Sequence, residues 1–341
     1  MLMKKIIRNI EPFNLFFYKD CFYNSLFSII NKYNGSMWDV LASEAVFYDY
    51  AEDKVLRGRI NYHSETSLFA VLADMNINHK VSYSTDFLID NIQKAIDSEM
   101  PVIVKVDCYE EDIRKELYHK EHLDHSLLIY GYDDAGEQFY VIEQSKKNVL
   151  NYSQVVISYE SLKNAVDGYN RYYHPHNMEE PLLISFEFGS YVKMSSADRS
   201  PYKNYRINYL CSLDLMLRQA TPLQLIVNEL IKYLSGNKDI EDSIDSIIEE
   251  LNEIVNARTI EKYKVEHFLG NEPLTALANK ILNNWLSIRL ALLNYKFQGN
   301  NIKEKFDKSI IRLRENQILE QRLNFSVFIL LSKNYDLADY D

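Results

Sequence analysis

Cys21 and His125 are the residues whose types and settings are suited to nucleophilic chemistry. Cys21 follows Asp20, a typical helix-capping residue, and precedes apolar residues at helical spacing. We therefore expect the thiol in the first turn of a helix. A helix N-terminus and a nearby imidazolium both stabilise a thiolate. A cysteine and a distant histidine that the fold brings together are the working parts of covalent catalysis by a thiol.

A carboxylate that could assist the histidine lies in a predicted β-hairpin. The segment from His125 to Glu143 has two stretches rich in β-forming residues, separated by aspartate and glycine turn residues. Pairing of Tyr132 with Gly136 would place His125 directly opposite Glu143. The Glu143 carboxylate could then accept the Nδ1 hydrogen bond of the ring and fix its tautomer. A register shift of one residue would place Gln144 there instead.

The other two cysteines are weaker candidates for the nucleophile. Most free cysteines are small buried apolar residues, and only Cys21 is set apart by its position at a helix start. Cys108 ends an apolar stretch and is followed by acidic residues, which would raise its pKa. Cys211 lies in an apolar helical stripe, which is typical of a core position. An odd number of widely spaced cysteines disfavours a disulfide framework or a cysteine-rich zinc site.

Three histidines, His119, His122 and His125, recur at a spacing of three with acidic residues between them. Such a run could supply zinc ligands. Along an extended chain, however, this spacing alternates between faces, so we favour a loop in which only His125 points into the site. No phosphate-binding glycine loop is present among the 9 glycines, which disfavours a dinucleotide fold. We therefore expect neither a metal nor a cofactor of the protein's own.

Length and composition predict two packed domains. The chain has 341 residues, of which 47% are hydrophobic, and a formal net charge of −11. That charge disfavours nucleic acid as a partner, because phosphate contacts require an excess of lysine and arginine. No apolar run approaches the roughly 20 residues of a membrane span. The first residues do not resemble a signal peptide, so we expect no membrane association and a cytoplasmic location.

The order of the predicted elements suggests where the domains divide. Residues 1–190 mix strand and helix patterns, residues 191–202 form a polar linker, and residues 203–341 show helical periodicity. The predicted fold class is α+β with an antiparallel sheet, followed by an all-helical C-terminal domain. Helices are predicted at 21–33, 66–75, 86–98 and 159–169, and strands at 76–83, 101–107, 155–159 and 181–188, besides the hairpin.

Over roughly residues 11–190, the chain resembles the N-terminal family of butirosin biosynthesis protein H, within the C39-like papain superfamily. Three motifs in the same order carry the resemblance: Asp20-Cys21-Phe22 at a helix start, an apolar strand from Pro101 to Asp107, and a strand from His125 that ends in Gly-Tyr-Asp. Glu143 follows after one hairpin. The resemblance implies a papain-like cysteine-protease fold with Cys21, His125 and Glu143 as the catalytic residues.

The same resemblance implies an activity. Proteins of this group use protease-like machinery to transfer acyl groups from carrier-protein thioesters to amines. The implied partners are an acyl or peptidyl carrier protein, whose phosphopantetheine holds the acyl group, and a small amine or diamine. The expected chemistry is similar to that of the amide-forming protease-like enzyme of closthioamide assembly. The implied role is amide formation in antibiotic or nonribosomal peptide biosynthesis, with the helical domain shaping access of the acceptor or carrier.

Two departures from the family pattern leave alternatives open. The third catalytic position holds Glu143 where an aspartate is usual, and Leu15 stands where the oxyanion glutamine is usual. The nearest amide side chain is Asn14, which we consider as an oxyanion donor beside the Cys21 backbone N–H. One alternative is a C39-like peptidase or thioester hydrolase, in which water resolves the acyl-enzyme. Another is a catalytically inactive papain-like binding module.

Overall fold

The computed structural model describes residues 3–147, 149–173, 180–189, 200–298 and 303–333. The chain divides into two compact units. The first comprises residues 1–37 and 68–196, and the second comprises residues 38–67 and 197–341. Among the described helices, none combines the length and the apolar character that crossing a membrane requires.

The helices and strands follow one another as a mixed α and β chain. The strands are β1 (Lys4–Ile6), β2 (Ala45–Tyr50), β3 (Gly58–His63), β4 (Ile77–Ser82), β5 (Val102–Asp107), β6 (Asp124–Asp133), β7 (Gln138–Gln144), β8 (Tyr152–Ser158) and β9 (Leu183–Phe188). The helices are α1 (Cys21–Lys32), α2 (Met37–Ala42), α3 (Leu68–Asp74), α4 (Leu88–Asp97), α5 (Tyr159–Tyr172), α6 (Pro201–Cys211), α7 (Leu213–Arg218), α8 (Ala220–Leu234), α9 (Ile244–Lys264), α10 (Glu272–Gln298) and α11 (Lys303–Lys333).

The first unit is built on a seven-stranded sheet with the order β4-β9-β5-β6-β7-β8, in which β1 also pairs with β6. All neighbouring strands are antiparallel. The apolar, β-branched residues of β5 and β6 are fully buried, which explains why these runs form the central strands. At Gly131 a Cβ atom would lie 2.8 Å from the Lys5 carbonyl oxygen, so glycine permits the close approach of β1. The predicted antiparallel α+β architecture is confirmed for this unit.

The hairpin register differs from the prediction. Near the turn the difference is three residues, because Tyr132 pairs with Phe139 rather than Gly136. Past the irregularity between Ile129 and Gly131 the difference is two residues. Leu128 pairs with Ile142, so the ladder runs toward Leu127 opposite Glu143, and His125 lies diagonally across from that carboxylate. Because the shift at this end of the hairpin is two residues, an even number, the side chains of His125 and Glu143 remain on one face of the sheet. Diagonal neighbours in a sheet are within reach of long side chains.

Helix α1 begins at Cys21, as its sequence predicts. The Asp20 carboxylate accepts hydrogen bonds from the backbone N–H groups of Phe22 and Tyr23, which confirms Asp20 as the N-cap. Lys19 has a φ of 51°, a left-handed conformation that turns the chain just before the cap. All residues from Asn24 to Ile30 are buried, so the body of α1 is anchored in the core. The thiol therefore lies at the positive end of a firmly packed helix.

The predicted helical C-terminal region is confirmed for its described residues, but the compact second unit also contains the β2–β3 hairpin. Its helices α6–α11 share a core with the β2–β3 hairpin, whose Tyr48 is 1% exposed. The Tyr48 hydroxyl donates to Glu320 at 2.7 Å, and Glu250 accepts the N–H groups of Val55 and Leu56 at 2.8 and 2.9 Å. These buried contacts assign residues 38–67 to the helical unit, whereas the predicted boundaries placed them in the first domain.

Most predicted helices and strands are present, with ends that differ by a few residues. Residues 191–199 of the predicted linker lie outside the described residues. The end of that linker starts α6, where Ser200 accepts a hydrogen bond from the Lys203 N–H and Pro201 occupies the first turn. Helix α2 and the β2–β3 hairpin were not predicted, because their residues show no clean period.

Candidate functional site

Cys21 is partly exposed at the start of α1. The backbone N–H of Ser126 donates to Cys21 Sγ at 3.0 Å. Ser126 directly follows His125 on β6, so one strand supplies both a backbone donor and a ring to the thiol. A backbone donor and the helix N-terminus both stabilise a sulfur that carries negative charge.

His125 is fixed between a carboxylate and the thiol. Its ring is 2% exposed, and its backbone pairs with Val106 of β5. Nε2 lies 2.8 Å from Glu143 Oε2, and the Cys21 side chain lies close enough to raise the pKa of the ring. Because Nε2 is engaged by Glu143, Nδ1 is the nitrogen left for Cys21. The predicted Nδ1 hydrogen bond to Glu143 is therefore wrong, although the predicted partner is correct.

The surroundings of His125 favour its charged form. Burial alone would lower the pKa of His125, but the charges of Cys21 and Glu143 raise it further than burial lowers it. The net result is a pKa well above the usual value for histidine. In its charged form the ring donates one N–H to Glu143 and directs the other toward Cys21.

Arg114 is a member of the site that sequence reasoning missed. Its side chain is 0% exposed, and Nη1 lies 2.9 Å from Glu143 Oε1. Its Nε also donates to Glu116 at 2.8 Å. Burial would lower the pKa of Arg114, but Glu143 and the other neighbouring groups together raise it more, so the guanidinium stays charged. Arg114 belongs to the connection between β5 and β6, where no periodic pattern marks it.

Two further buried groups lie behind the ring of His125. Burial and then the nearby Glu143 charge raise the pKa of Glu111, which favours its protonated form. Burial, more than the acidic neighbours, raises the pKa of the Cys108 thiol. The predicted rise in the pKa of Cys108 is confirmed, but its main cause is burial rather than the acidic neighbours. A buried thiol held in its neutral form is a poor nucleophile.

Cys211, predicted to be in a core, is exposed.

The same groups form the metal-ligand candidate found among the described residues. Glu111, His125 and Glu143 each place one ligand atom within 4.8 Å of the others. Glu143 already binds the Arg114 guanidinium and the His125 ring, so a dication would have to compete with two cationic groups. The cationic partners of Glu143 therefore disfavour a metal ion at this cluster.

Lys105 adds a positive charge near the thiol. Burial alone would lower the pKa of Lys105, but Asp124 and then Cys21 raise it above its usual value. Its Nζ lies 3.4 Å from Asp124 Oδ1 and 3.5 Å from Glu180 Oε2. On β5 Lys105 pairs with Ser126, the residue that donates to Cys21 Sγ. The sequence shows Lys105 only as a polar residue that interrupts an apolar strand.

The predicted oxyanion donor Asn14 is used elsewhere. Its Nδ2 donates to the Tyr152 carbonyl at 2.9 Å, and its Oδ1 accepts from the Tyr152 N–H at 2.8 Å. Both polar atoms of the Asn14 side chain therefore hold the start of β8, and its amide is not available as an oxyanion donor. Leu15, at the position usual for the oxyanion glutamine, is 65% exposed. Gln144 lies on the opposite face of β7 from Glu143, so it does not replace Glu143 beside His125.

Of the three spaced histidines, His125 alone joins this cluster. His122 Nδ1 lies 2.6 Å from Asp107 Oδ2, and its ring stacks between Tyr109 and Tyr172. His119 contacts tyrosine rings as well. The preference for a loop that presents only His125 to the site agrees with these contacts.

The described part of the first unit is thus an α+β structure that brings together a partly exposed thiol, an imidazolium and a buried carboxylate. Such an arrangement has the parts that covalent catalysis by cysteine requires.

Residues 43–144 match the family model of butirosin biosynthesis protein H, N-terminal. The match confirms the resemblance to this family over a shorter segment than the motifs suggested. It includes His125 and Glu143 and begins after Cys21. No curated protein matches the chain.

Proposed function

We propose that the chain takes part in antibiotic biosynthesis as a cysteine acyltransferase. In this proposal, an acyl group passes from a carrier-protein thioester to Cys21 and then to an amine. The matched family, which is described as a butirosin biosynthesis protein, supports the biosynthetic role. The observation that carries the chemistry is the Cys21 sulfur, which accepts the Ser126 N–H at 3.0 Å and whose charge raises the pKa of the neighbouring His125.

The first half-reaction exchanges one thioester for another. The Cys21 thiolate attacks the carbonyl carbon of the acyl-phosphopantetheine, and the carbon–sulfur bond to the carrier then breaks. The departing pantetheine thiolate takes the proton held by His125, which leaves acyl-Cys21 and a neutral imidazole. Because a thioester is both consumed and formed, this step needs no external energy source.

The second half-reaction forms the amide. The neutral His125 accepts a proton from the attacking amine, whose nitrogen bonds to the acyl carbon. The bond to Cys21 Sγ then breaks, and the thiolate–imidazolium pair is restored. Glu143 holds the ring through Nε2 at 2.8 Å in both halves, so it orients the ring and supports its charge. This sequence predicts ping-pong kinetics.

Backbone donors at the start of α1 would stabilise the oxyanion of each tetrahedral intermediate. The N–H groups of Phe22 and Tyr23 are taken by the Asp20 carboxylate. The Cys21 N–H, at the same helix terminus, is the backbone donor that we assign.

Amine acceptance, rather than hydrolysis, is tested by product analysis. A carrier-bound acyl thioester is supplied with and without a panel of mono- and diamines, and amide and free acid are quantified. We expect amide to dominate for at least one amine, since a bound amine gains an effective molarity of about 10⁵ M or more. The Cys21→Ala variant is the control for uncatalysed aminolysis. Dominance of free acid over the whole panel would instead assign a thioester hydrolase.

A further inference from the structure

The second unit contains a pocket whose lining includes neither Cys21 nor His125. Its volume is about 300 Å³, at the small end of the range for ligand sites. It is lined by α7, the start of α8 and the second half of α11, and its walls are mainly apolar. The apolar lining is formed by Leu213, Met216, Leu217, Leu223, Phe325 and Phe328.

The floor of this pocket is polar and buried. Gln219 and Glu320 both line it and are 4% and 1% exposed. Among the residues that the structure describes, Gln219 Nε2 and Glu320 Oε2 have no hydrogen-bond partner. A buried donor and a buried acceptor left without partners cost free energy that a bound molecule would recover.

The backbone N–H of Tyr48 determines how the side-chain amide of Gln219 is oriented. Its Oε1 accepts the N–H of Tyr48 at 3.2 Å, so the oxygen must face that donor. The side-chain NH₂ group is therefore the part without a partner. Because Gln219 lines the pocket, we take this group as the candidate hydrogen-bond donor for a bound molecule.

The charge of Glu320 is already balanced. Its Oε1 lies 3.1 Å from Arg258 Nε and also accepts hydrogen bonds from the Tyr48 hydroxyl and the Trp285 indole N–H. The second oxygen remains as an acceptor in a site without net charge. A cationic ligand would leave an excess positive charge there, and an anionic ligand would face a carboxylate.

We propose that this pocket binds a small molecule with an apolar chain and a neutral head group that both donates and accepts hydrogen bonds. A carboxamide or a hydroxyl has this chemistry: its oxygen accepts from Gln219 Nε2, and its N–H or O–H donates to Glu320 Oε2. The apolar walls hold the chain. The site lies within the second unit and does not depend on the proposed acyl transfer.

Binding of eight-carbon probes by the full-length chain tests the head group. Octanamide and 1-octanol are compared with octanoate and octylammonium by isothermal titration calorimetry and ligand-observed NMR. We expect at least one neutral probe to bind about tenfold or more tightly than both charged probes, since each charged head loses a hydrogen bond to the floor. No binding of either neutral probe, or equal binding of octanoate, would overturn the proposal.

Two variants locate the binding. Ala220→Leu fills the pocket, and Gln219→Met removes the free donor while keeping a similar volume. We expect each to weaken binding of the neutral probe about tenfold or more. Ala276→Leu, at an exposed position of α10 outside the lining, is the matched control and should bind as the unmodified chain does. Circular dichroism monitors folding. Unchanged affinity in folded Ala220→Leu would overturn the assignment, and if neither variant folds, the head-group comparison alone decides.

Discussion

Arg114 Nη1 lies 2.9 Å from Glu143 Oε1, and the two side chains are 0% and 3% exposed. The other oxygen of Glu143 contacts His125 Nε2 at 2.8 Å, and Oε1 also accepts the Gln144 N–H at 2.6 Å. The carboxylate is thus held as an acceptor by two cationic groups and one backbone donor. This arrangement assigns Glu143 to orienting the ring rather than to exchanging protons.

Glu143→Gln should slow turnover strongly, and because it also leaves the buried Arg114 without its carboxylate partner, turnover is compared where circular dichroism shows the variant to be folded. The amide keeps the size of the side chain but offers His125 a weaker acceptor and loses the charge that supports the imidazolium. Amidation of a triad carboxylate elsewhere costs about 10⁴-fold in kcat, and we expect a loss of this order. Steady-state kinetics measure it, with Glu137→Gln in the exposed hairpin turn as the control. Near-normal turnover would transfer the orienting role to another residue.

Arg114→Met should destabilise the first unit. The substitution removes one partner of a buried ion pair and leaves Glu143 with less compensation, which typically costs about 3–5 kcal/mol. Urea denaturation measures the loss. Arg171→Met at an exposed position of α5 is the matched control and should change stability by no more than about 0.5 kcal/mol. A variant as stable as the unmodified chain would mean that Arg114 does not support Glu143.

Glu111 should make stability depend on pH. Its pKa is raised from 4.5 to about 8 in the fold, chiefly by burial. Between these values the folded state keeps a proton that the unfolded state has released, so this contribution to stability falls as pH rises. Glu111→Gln mimics the protonated acid and lacks this dependence.

Denaturation of both forms from pH 5 to pH 8 tests this assignment. The variant should become progressively more stable relative to the unmodified chain as pH rises. A stability difference that stays constant over this range would show that Glu111 does not bind a proton in the folded state.

Thiol reactivity should follow environment rather than exposure alone. Cys211 is exposed, Cys21 is partly exposed and Cys108 is buried. We expect iodoacetamide at neutral pH to modify Cys21 first, because its sulfur lies beside an imidazolium and a backbone donor. Peptide mapping at short times measures the order, and the same reaction in urea is the control. Faster labelling of Cys211 in the folded protein would contradict an activated Cys21.

Several features of the site could be predicted from the sequence because their signals are local. The cap at Asp20 and the apolar stripe after Cys21 define a helix start without any tertiary information. To predict that His125 contacts Glu143, it was enough to place both side chains on the same face of the hairpin. A register error of two residues does not change that face. Atomic detail, such as which ring nitrogen contacts Glu143, depends on side-chain rotamers and was predicted wrongly.

The features that the sequence did not reveal depend on tertiary packing. Arg114 and Glu111 lie in an irregular connection, and only the fold shows that their side chains are buried against Glu143. The β2–β3 hairpin joins the helical unit through contacts with Glu250 and Glu320, far along the chain. No local pattern records such partners, so the predicted domain boundary could not place this hairpin correctly.

Intact-mass spectrometry after mixing with a carrier-bound acyl thioester tests the central claim most directly. We expect the chain to gain the mass of one acyl group, located on Cys21 by peptide mapping, and to lose it when an amine is added. Cys21→Ala should gain no such mass, whereas Cys211→Ala should behave as the unmodified chain does. Absence of the adduct from the unmodified chain across a range of acyl thioesters, or its persistence in Cys21→Ala, would contradict the account.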